Sequence, residues 1–239
     1  MRMITAVILT FDLVVGLLLF GLWEDRGTQT KKAVVVTAPA DADPARWQES
    51  PSDVEPKKIA LTFDDGPHPL YTEQLLDGLQ ERGVRVTFFV TGEHAQMYPD
   101  LIRRMQEEGH LIGNHTYSHM QLTRSNRSAF REELIRTNDI IEEITGEEVE
   151  FVRPPYGSWD KAFEKELNMF PVLWTVDPVD WNTKSAERIV RKVLRAAGEN
   201  DVILMHDYYS TSVDAALQIV DALTQKGYTF VTVEELMFE

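Results

Sequence analysis

Ile59-Ala60-Leu61-Thr62-Phe63-Asp64-Asp65-Gly66-Pro67 is the stretch from which the fold is read. Ile59, Leu61 and Phe63 alternate with their neighbours, which predicts a strand with one buried side. The strand runs directly into two carboxylates and a Gly-Pro breaker. Successive strand residues face opposite ways, so Asp64 and Asp65 share a pocket only if the backbone turns there. Acids at the carboxyl end of a buried strand stand where open α/β sheets and barrels place their chemistry. Taken alone, the pair reads equally well as an Asx-type turn that only stops the strand.

The chain beyond this stretch decides between the two. Strand-like runs at 59–63, 86–90, 111–113, 151–153, 172–176, 202–205 and 230–233 alternate with helix-like segments. The helices are predicted at 72–82, 99–108, 128–145, 159–167, 186–197 and 213–226. Ser128 is a candidate N-cap, and Gly83, Gly109, Gly146, Gly198 and Gly227 are candidate stops. Regular alternation predicts an α/β fold with a parallel sheet and crossover helices. Seven runs are few for a full eightfold barrel. An incomplete (β/α)7 barrel fits better than a doubly wound sheet, because polar residues of interest follow nearly every strand.

Upstream, residues 3–23 are almost wholly apolar, interrupted by Thr5, Thr10 and Asp12. At about 1.5 Å per residue this run is long enough to cross a bilayer. Asp12 near its centre would cost roughly 2.5–3.5 kcal/mol. The alternative is a cleaved signal peptide, but the small-x-small site Ala38-Pro39-Ala40 lies far downstream. Residues 1–25 are therefore expected to be an uncleaved signal anchor, a transmembrane helix with the remainder of the chain outside the cell. Residues 26–58, punctuated by Pro39, Pro44, Pro51 and Pro56, read as a linker. Residues 59–239 form the predicted globular domain.

Composition removes several classes of function. The formal net charge of the 239-residue chain is −15 and no basic stripe exists, which argues against nucleic-acid binding. The chain has no cysteine, so disulfide scaffolds, cysteine zinc sites and cysteine nucleophiles are excluded. Any metal must sit on histidine and carboxylate ligands. No feature points to a protein partner.

Polar residues then fall at one strand end after another. His115 and His119, spaced i and i+4, face one metal if their segment turns helically. With an aspartate from the first strand they form a two-histidine, one-carboxylate site, suited to catalytic zinc and also to non-haem iron. The bland alternative is two solvated loop histidines. Arg153-Pro154-Pro155-Tyr156 follows the fourth strand. Its arginine cannot lose its charge and is suited to hold an aspartate ionised and aimed. Its first free amide after the prolines is that of Tyr156, a candidate oxyanion donor. Asp177-Pro178-Val179-Asp180-Trp181 offers a charge partner and a pocket wall. His206, directly after the apolar run Val202-Ile203-Leu204-Met205, is a candidate acid or base. His68 reads as a pocket-rim residue, and His94 and His110 as loop or surface residues.

Thr62-Phe63-Asp64-Asp65-Gly66, His115-Thr116-x-x-His119, Arg153-Pro154-Pro155-Tyr156, Asp177-Pro178-Val179-Asp180-Trp181 and Leu204-Met205-His206 together resemble the motifs of the polysaccharide deacetylases, the NodB-homology enzymes of carbohydrate esterase family 4. The motifs occur in order and span residue 59 to the end of the chain. The departure is Pro178, where the family more often has a small residue. The resemblance implies a distorted (β/α) barrel and metal-dependent removal of N-acetyl groups from a cell-wall or chitin-like glycan, peptidoglycan N-acetylglucosamine first. It implies Asp65, His115 and His119 as ligands of a divalent metal, usually zinc. Asp64 would be the base and His206 the acid, with Arg153 tethering Asp64 and Asp180 pairing with His206. The Tyr156 amide would face the oxyanion, and Trp181 with Leu204 would cradle the acetyl methyl. Chitooligosaccharides, N-acetylmuramic acid and O-acetylated xylan are alternative substrates. A non-catalytic glycan-binding protein and a two-histidine, one-carboxylate iron oxygenase are the readings from other classes.

Overall fold

The computed structural model describes residues 56–238. The predicted anchor, and all but the end of the predicted linker, lie outside them. Among the described residues no helix is long and apolar enough to cross a membrane.

Seven strands form one sheet: β1 (Lys57–Asp64), β2 (Thr87–Val90), β3 (Leu111–Asn114), β4 (Phe151–Val152), β5 (Phe170–Pro171), β6 (Val202–His206) and β7 (Tyr228–Phe230). Their order is β5-β4-β3-β2-β1-β6, every pair is parallel, and β7 pairs with the first residues of β1. The helices are α1 (Tyr71–Arg82), α2 (Gly92–Met97), α3 (Pro99–Glu107), α4 (Arg127–Thr145), α5 (Ala162–Glu166), α6 (Ala186–Ala196), α7 (Ser210–Gln225) and α8 (Val233–Phe238). This is the expected α/β architecture, an incomplete parallel barrel. A single bridge between Val176 and Ile203 reaches across the remaining opening towards β6.

Side-chain alternation along β1 sets up the site. Ile59, Leu61 and Phe63 join the large apolar core with Leu75, Leu76 and Leu79 of α1 and Ile219 of α7. Ala60 belongs to a second, smaller cluster with Phe89, Phe151, Val172 and Val233. Side chains two apart share a face, so Thr62 and Asp64 point the same way as Ala60. Both faces of β1 from Ala60 onward are buried, where one buried side was expected. That is the usual fate of a central parallel strand covered on both sides.

Several boundaries differ from expectation, each for a local reason. β1 starts at Lys57 because β7 pairs with residues 57–59. The run 172–176 is not a strand. Phe170 and Pro171 pair with β4 instead, and Arg153 takes the carbonyls of Val172 and Leu173 through Nε and Nη2 at 3.1 and 3.3 Å. The run expected as a strand at 230–233 stops at Phe230 and gives way to α8. There Thr232 N donates to Glu235 Oε2 at 2.8 Å and Glu235 N to Thr232 Oγ1 at 3.3 Å, a capping box. Ser128 is not an N-cap; α4 begins one residue before it, after Asn126. The helix expected at 159–167 shrinks to α5. Gly83 and Gly146 do close α1 and α4 in the left-handed conformation, but α6 ends on Ala197 and not on Gly198.

Candidate active site

The carboxyl ends of the strands meet at one cleft of about 380 Å³. Asp64, Asp65, His115, His119, Tyr156, Trp181, Leu204 and His206 line it, as do Pro154, Trp174, Asp177 and Tyr209. Asp65 has φ 74°. This left-handed turn brings two adjacent carboxylates to one place, where an extended strand would have sent them to opposite faces. Gly66 follows because there is no space for a side chain: a Cβ there would collide with the Asp207 carboxylate. Thr116, His119, Tyr156 and Val179 also have positive φ, so much of the backbone strain in the described residues surrounds the cleft.

Asp65, His115 and His119 place one donor atom each within 4.8 Å of one another. Asp65 Oδ1 is 3.4 Å from His115 Nε2 and 3.5 Å from His119 Nε2. It is buried and has no hydrogen-bond partner. His115 Nδ1 lies 2.6 Å from the Arg153 carbonyl oxygen, which can only accept. The proton is thereby placed on Nδ1, and the Nε2 lone pair faces Asp65, the tautomer a metal requires. Burial pushes the His119 pKa down against the pull of Asp65, which keeps that ring neutral and able to donate. Burial works against a charge on Asp65, yet the surrounding imidazoles of His115, His206 and His119 favour the carboxylate and bring its carboxyl down to about 2. An orphaned buried oxygen facing two imidazole nitrogens fits a divalent ion with three protein ligands and open positions for water and substrate.

Asp64 sits beside this cluster. Arg153, fully buried, donates from Nη1 to Asp64 Oδ1 at 2.8 Å and to Thr62 Oγ1 at 2.6 Å. Its guanidinium carbon lies 4.3 Å from the Phe89 ring centroid. Oδ1 of Asp64 is thus occupied, and Oδ2 is left to face the cluster, 3.7 Å from His115 Nε2. Removing one member of a buried ion pair leaves the other uncompensated. Arg153→Met is therefore expected to cost about 3–5 kcal/mol of stability. Denaturant unfolding measures it, and unchanged stability contradicts the pairing.

His206 stands across the cleft. Its Nδ1 donates to Asp180 Oδ1 at 2.8 Å, and its backbone N–H donates to Asp180 Oδ2 at 2.9 Å. Its Nε2 points inward, 3.9 Å from Asp65 Oδ2. Burial opposes the charge on this ring. The hydrogen bond and charge of Asp180, helped by Asp64 and Asp65, outweigh burial and raise the pKa to about 9. Pro178 does not displace Asp180: its carbonyl accepts from Lys192 Nζ at 2.6 Å, and Asp177 Oδ1 accepts from Val179 N at 2.7 Å.

Asp64, Asp65, His115, His119, Tyr156, Trp181, Leu204 and His206 thus line the cleft, and Arg153 and Asp180 hydrogen-bond to two of them. Trp181 is half exposed on its rim, Leu204 is buried in its wall, and the exposed Tyr156 ring lies 5.0 Å from that of His119. Trp174 and Tyr209 were not singled out, because isolated aromatics after a strand carry no spacing signal. Two readings of histidines are corrected. His110 is buried, accepts from Val86 N at 3.1 Å, and is held neutral by burial at a pKa of about 4. His94 is no bystander: its Nδ1 lies 2.7 Å from the Asp65 carbonyl oxygen. Asp207, adjacent to His206, is fully buried against Thr72, and burial pushes its carboxyl up to about 7.

A family described as polysaccharide deacetylase matches residues 52–172. The peptidoglycan-N-acetylmuramic acid deacetylase PdaC of Bacillus subtilis is 44% identical over 189 residues, covering 79% of this chain and 40% of that protein. A peptidoglycan-N-acetylglucosamine deacetylase of Bacillus cereus is 40% identical over 186 residues, covering 75% of this chain and 68% of its own length. The solved structure of the Bacillus subtilis peptidoglycan deacetylase PdaC superposes with a TM-score of 0.73 at 45% identity, over 76% of this chain and 90% of that one.

Proposed function

The chain belongs to the polysaccharide deacetylase family, and from that premise we propose that it removes N-acetyl groups from peptidoglycan, with N-acetylglucosamine as the favoured sugar and zinc at Asp65, His115 and His119. The observation that carries the reaction is the joint placement of three metal-competent donors between an arginine-held carboxylate and an aspartate-held imidazole.

Bound there, a divalent ion supplies Lewis acidity, polarising the acetyl carbonyl and acidifying a water molecule. Asp64 takes a proton from the attacking water through Oδ2, its other oxygen being fixed by Arg153. Water oxygen bonds to the acetyl carbon as the carbonyl oxygen gains negative charge, and the Tyr156 amide is the backbone donor that meets that charge. An amide nitrogen leaves poorly unless protonated. His206 gives it a proton from Nε2 as the carbon–nitrogen bond breaks, and acetate and the free amine of the sugar result. Trp181 and Leu204 offer apolar wall to the acetyl methyl.

The two named relatives differ in the sugar they act on. Muramic acid carries a lactyl group whose carboxylate, when free, seeks a cation. Among the described residues lining the cleft none is lysine or arginine, and Asp177 would repel that group. This favours glucosamine. Acetate release from defined muropeptides and chitooligomers tests the reading: no release from any N-acetylglucosamine substrate removes it.

Asp180→Asn separates the acid from mere packing. His206 acts in its protonated form, so turnover falls as pH rises through its pKa. Loss of the Asp180 charge lowers that pKa, and the alkaline limb of the kcat profile is expected to move to lower pH. An unmoved limb contradicts the pairing.

A further inference from the structure

The turn that presents Asp65 is gripped by a residue outside the chemistry described so far. His94 is the third residue of α2, the short helix directly after β2. Its Nδ1 lies 2.7 Å from the backbone carbonyl oxygen of Asp65. A carbonyl oxygen only accepts, so Nδ1 carries the hydrogen and donates, whichever the state of Nε2. One residue further, Thr91 N donates to the Gly66 carbonyl at 3.1 Å. The carbonyls of the left-handed Asp65 and of Gly66 after it are therefore bonded from His94 and Thr91, at and just before the start of α2. The His94 ring is itself fixed by stacking on Tyr208, with centroids 5.4 Å apart and planes 27° apart. Tyr208 follows β6 and lies two residues from His206. The ring thus ties the metal-ligand turn to the loop that follows the acid.

We infer that His94 is a positioning residue for the metal ligand Asp65, holding its strained backbone so that Oδ1 stays aimed between the imidazoles of His115 and His119. The inference rests on the metal-site reading above. Asp65 pays for its φ of 74° with strain that only its surroundings can hold. Without the His94 bond the carbonyl can rotate, and the carboxylate moves with it. Groups that orient metal ligands change metal affinity about 10- to 100-fold when removed. A ring that only filled space would not do so, because a phenyl ring fills the same space.

The test uses the full chain and measures zinc affinity by competition with a chromogenic chelator, beside the thermal unfolding midpoint of the metal-free protein. His94→Phe keeps a ring against Tyr208 and removes the donor. It is expected to weaken zinc binding about tenfold or more with an unchanged metal-free midpoint, and saturating zinc is expected to restore most of the turnover. His94→Asn places an amide donor near the position of Nδ1 and is expected to recover most of the affinity. Should the Phe variant fail to fold, His94→Ala carries the same expectation. Native affinity in the Phe or Ala variant, or an Asn variant no better than Phe, overturns the inference while leaving the metal site intact. A wild-type chain that binds no zinc overturns the metal site itself, and this inference with it.

Discussion

His119→Ala is expected to lose both the metal and all measurable deacetylation. On the proposed reading His119 supplies one of the three donors gathered among the described residues, and the other two, Asp65 and His115, cannot enclose an ion by themselves. Asp65 Oδ1 is already buried without a hydrogen-bond partner. In the variant it would face a single imidazole across 3.4 Å. The fold is expected to survive, because His119 lies on a loop after β3 and is partly exposed. Metal analysis of the purified variant and an acetate-release assay check this together. Stoichiometric metal in the variant contradicts the ligand assignment.

His206→Ala is expected to behave differently, keeping its metal while turnover falls by about 10²–10⁴, the usual contribution of a positioned acid. The reason is geometric. His206 Nε2 is 3.9 Å from Asp65 Oδ2 and stands outside the cluster of three donors proposed to hold the ion. Its raised pKa of about 9 keeps it protonated near neutral pH, the form that the departing nitrogen needs. An aryl acetate has a leaving group that needs no proton. The variant's deficit is therefore expected to shrink on such an ester while remaining large on the amide. An equal deficit on both would mean that His206 acts elsewhere in the reaction, and full activity on the amide would remove it from the mechanism.

The order of polar residues at strand ends was legible from spacing, because parallel β/α units put every such loop at the same mouth. The convergence of Asp64, His115, Arg153, Asp180 and His206 follows from that topology alone. What pattern could not supply was any feature built from backbone bent out of its usual range. The turn at Asp65 needs a left-handed residue, which is uncommon for aspartate. The segment 172–176 is apolar and strand-like, but its carbonyls serve the guanidinium of a residue about 20 positions earlier. Such a long-range side-chain competitor leaves no local trace. His94 was missed for the same reason, since its partner lies 29 residues away. By contrast, α8 carried a visible signal. Thr232-Val233-Glu234-Glu235 has the spacing of a capping box, overlapping the strand-like run 230–233. Both faces of β1 are buried because helices cover one side and the barrel interior fills the other, which alternation within one strand does not reveal.

The account stands on one ion held by Asp65, His115 and His119 and used by Asp64 and His206 to hydrolyse an acetamide. The most direct measurement is acetate release from a defined N-acetylglucosamine muropeptide by the wild-type chain, before chelation, after chelation and after zinc is returned, with bound metal counted at each stage. The account predicts one ion per chain, release that stops when the ion is stripped, and recovery when it is restored. Undiminished release from the metal-free protein would contradict it.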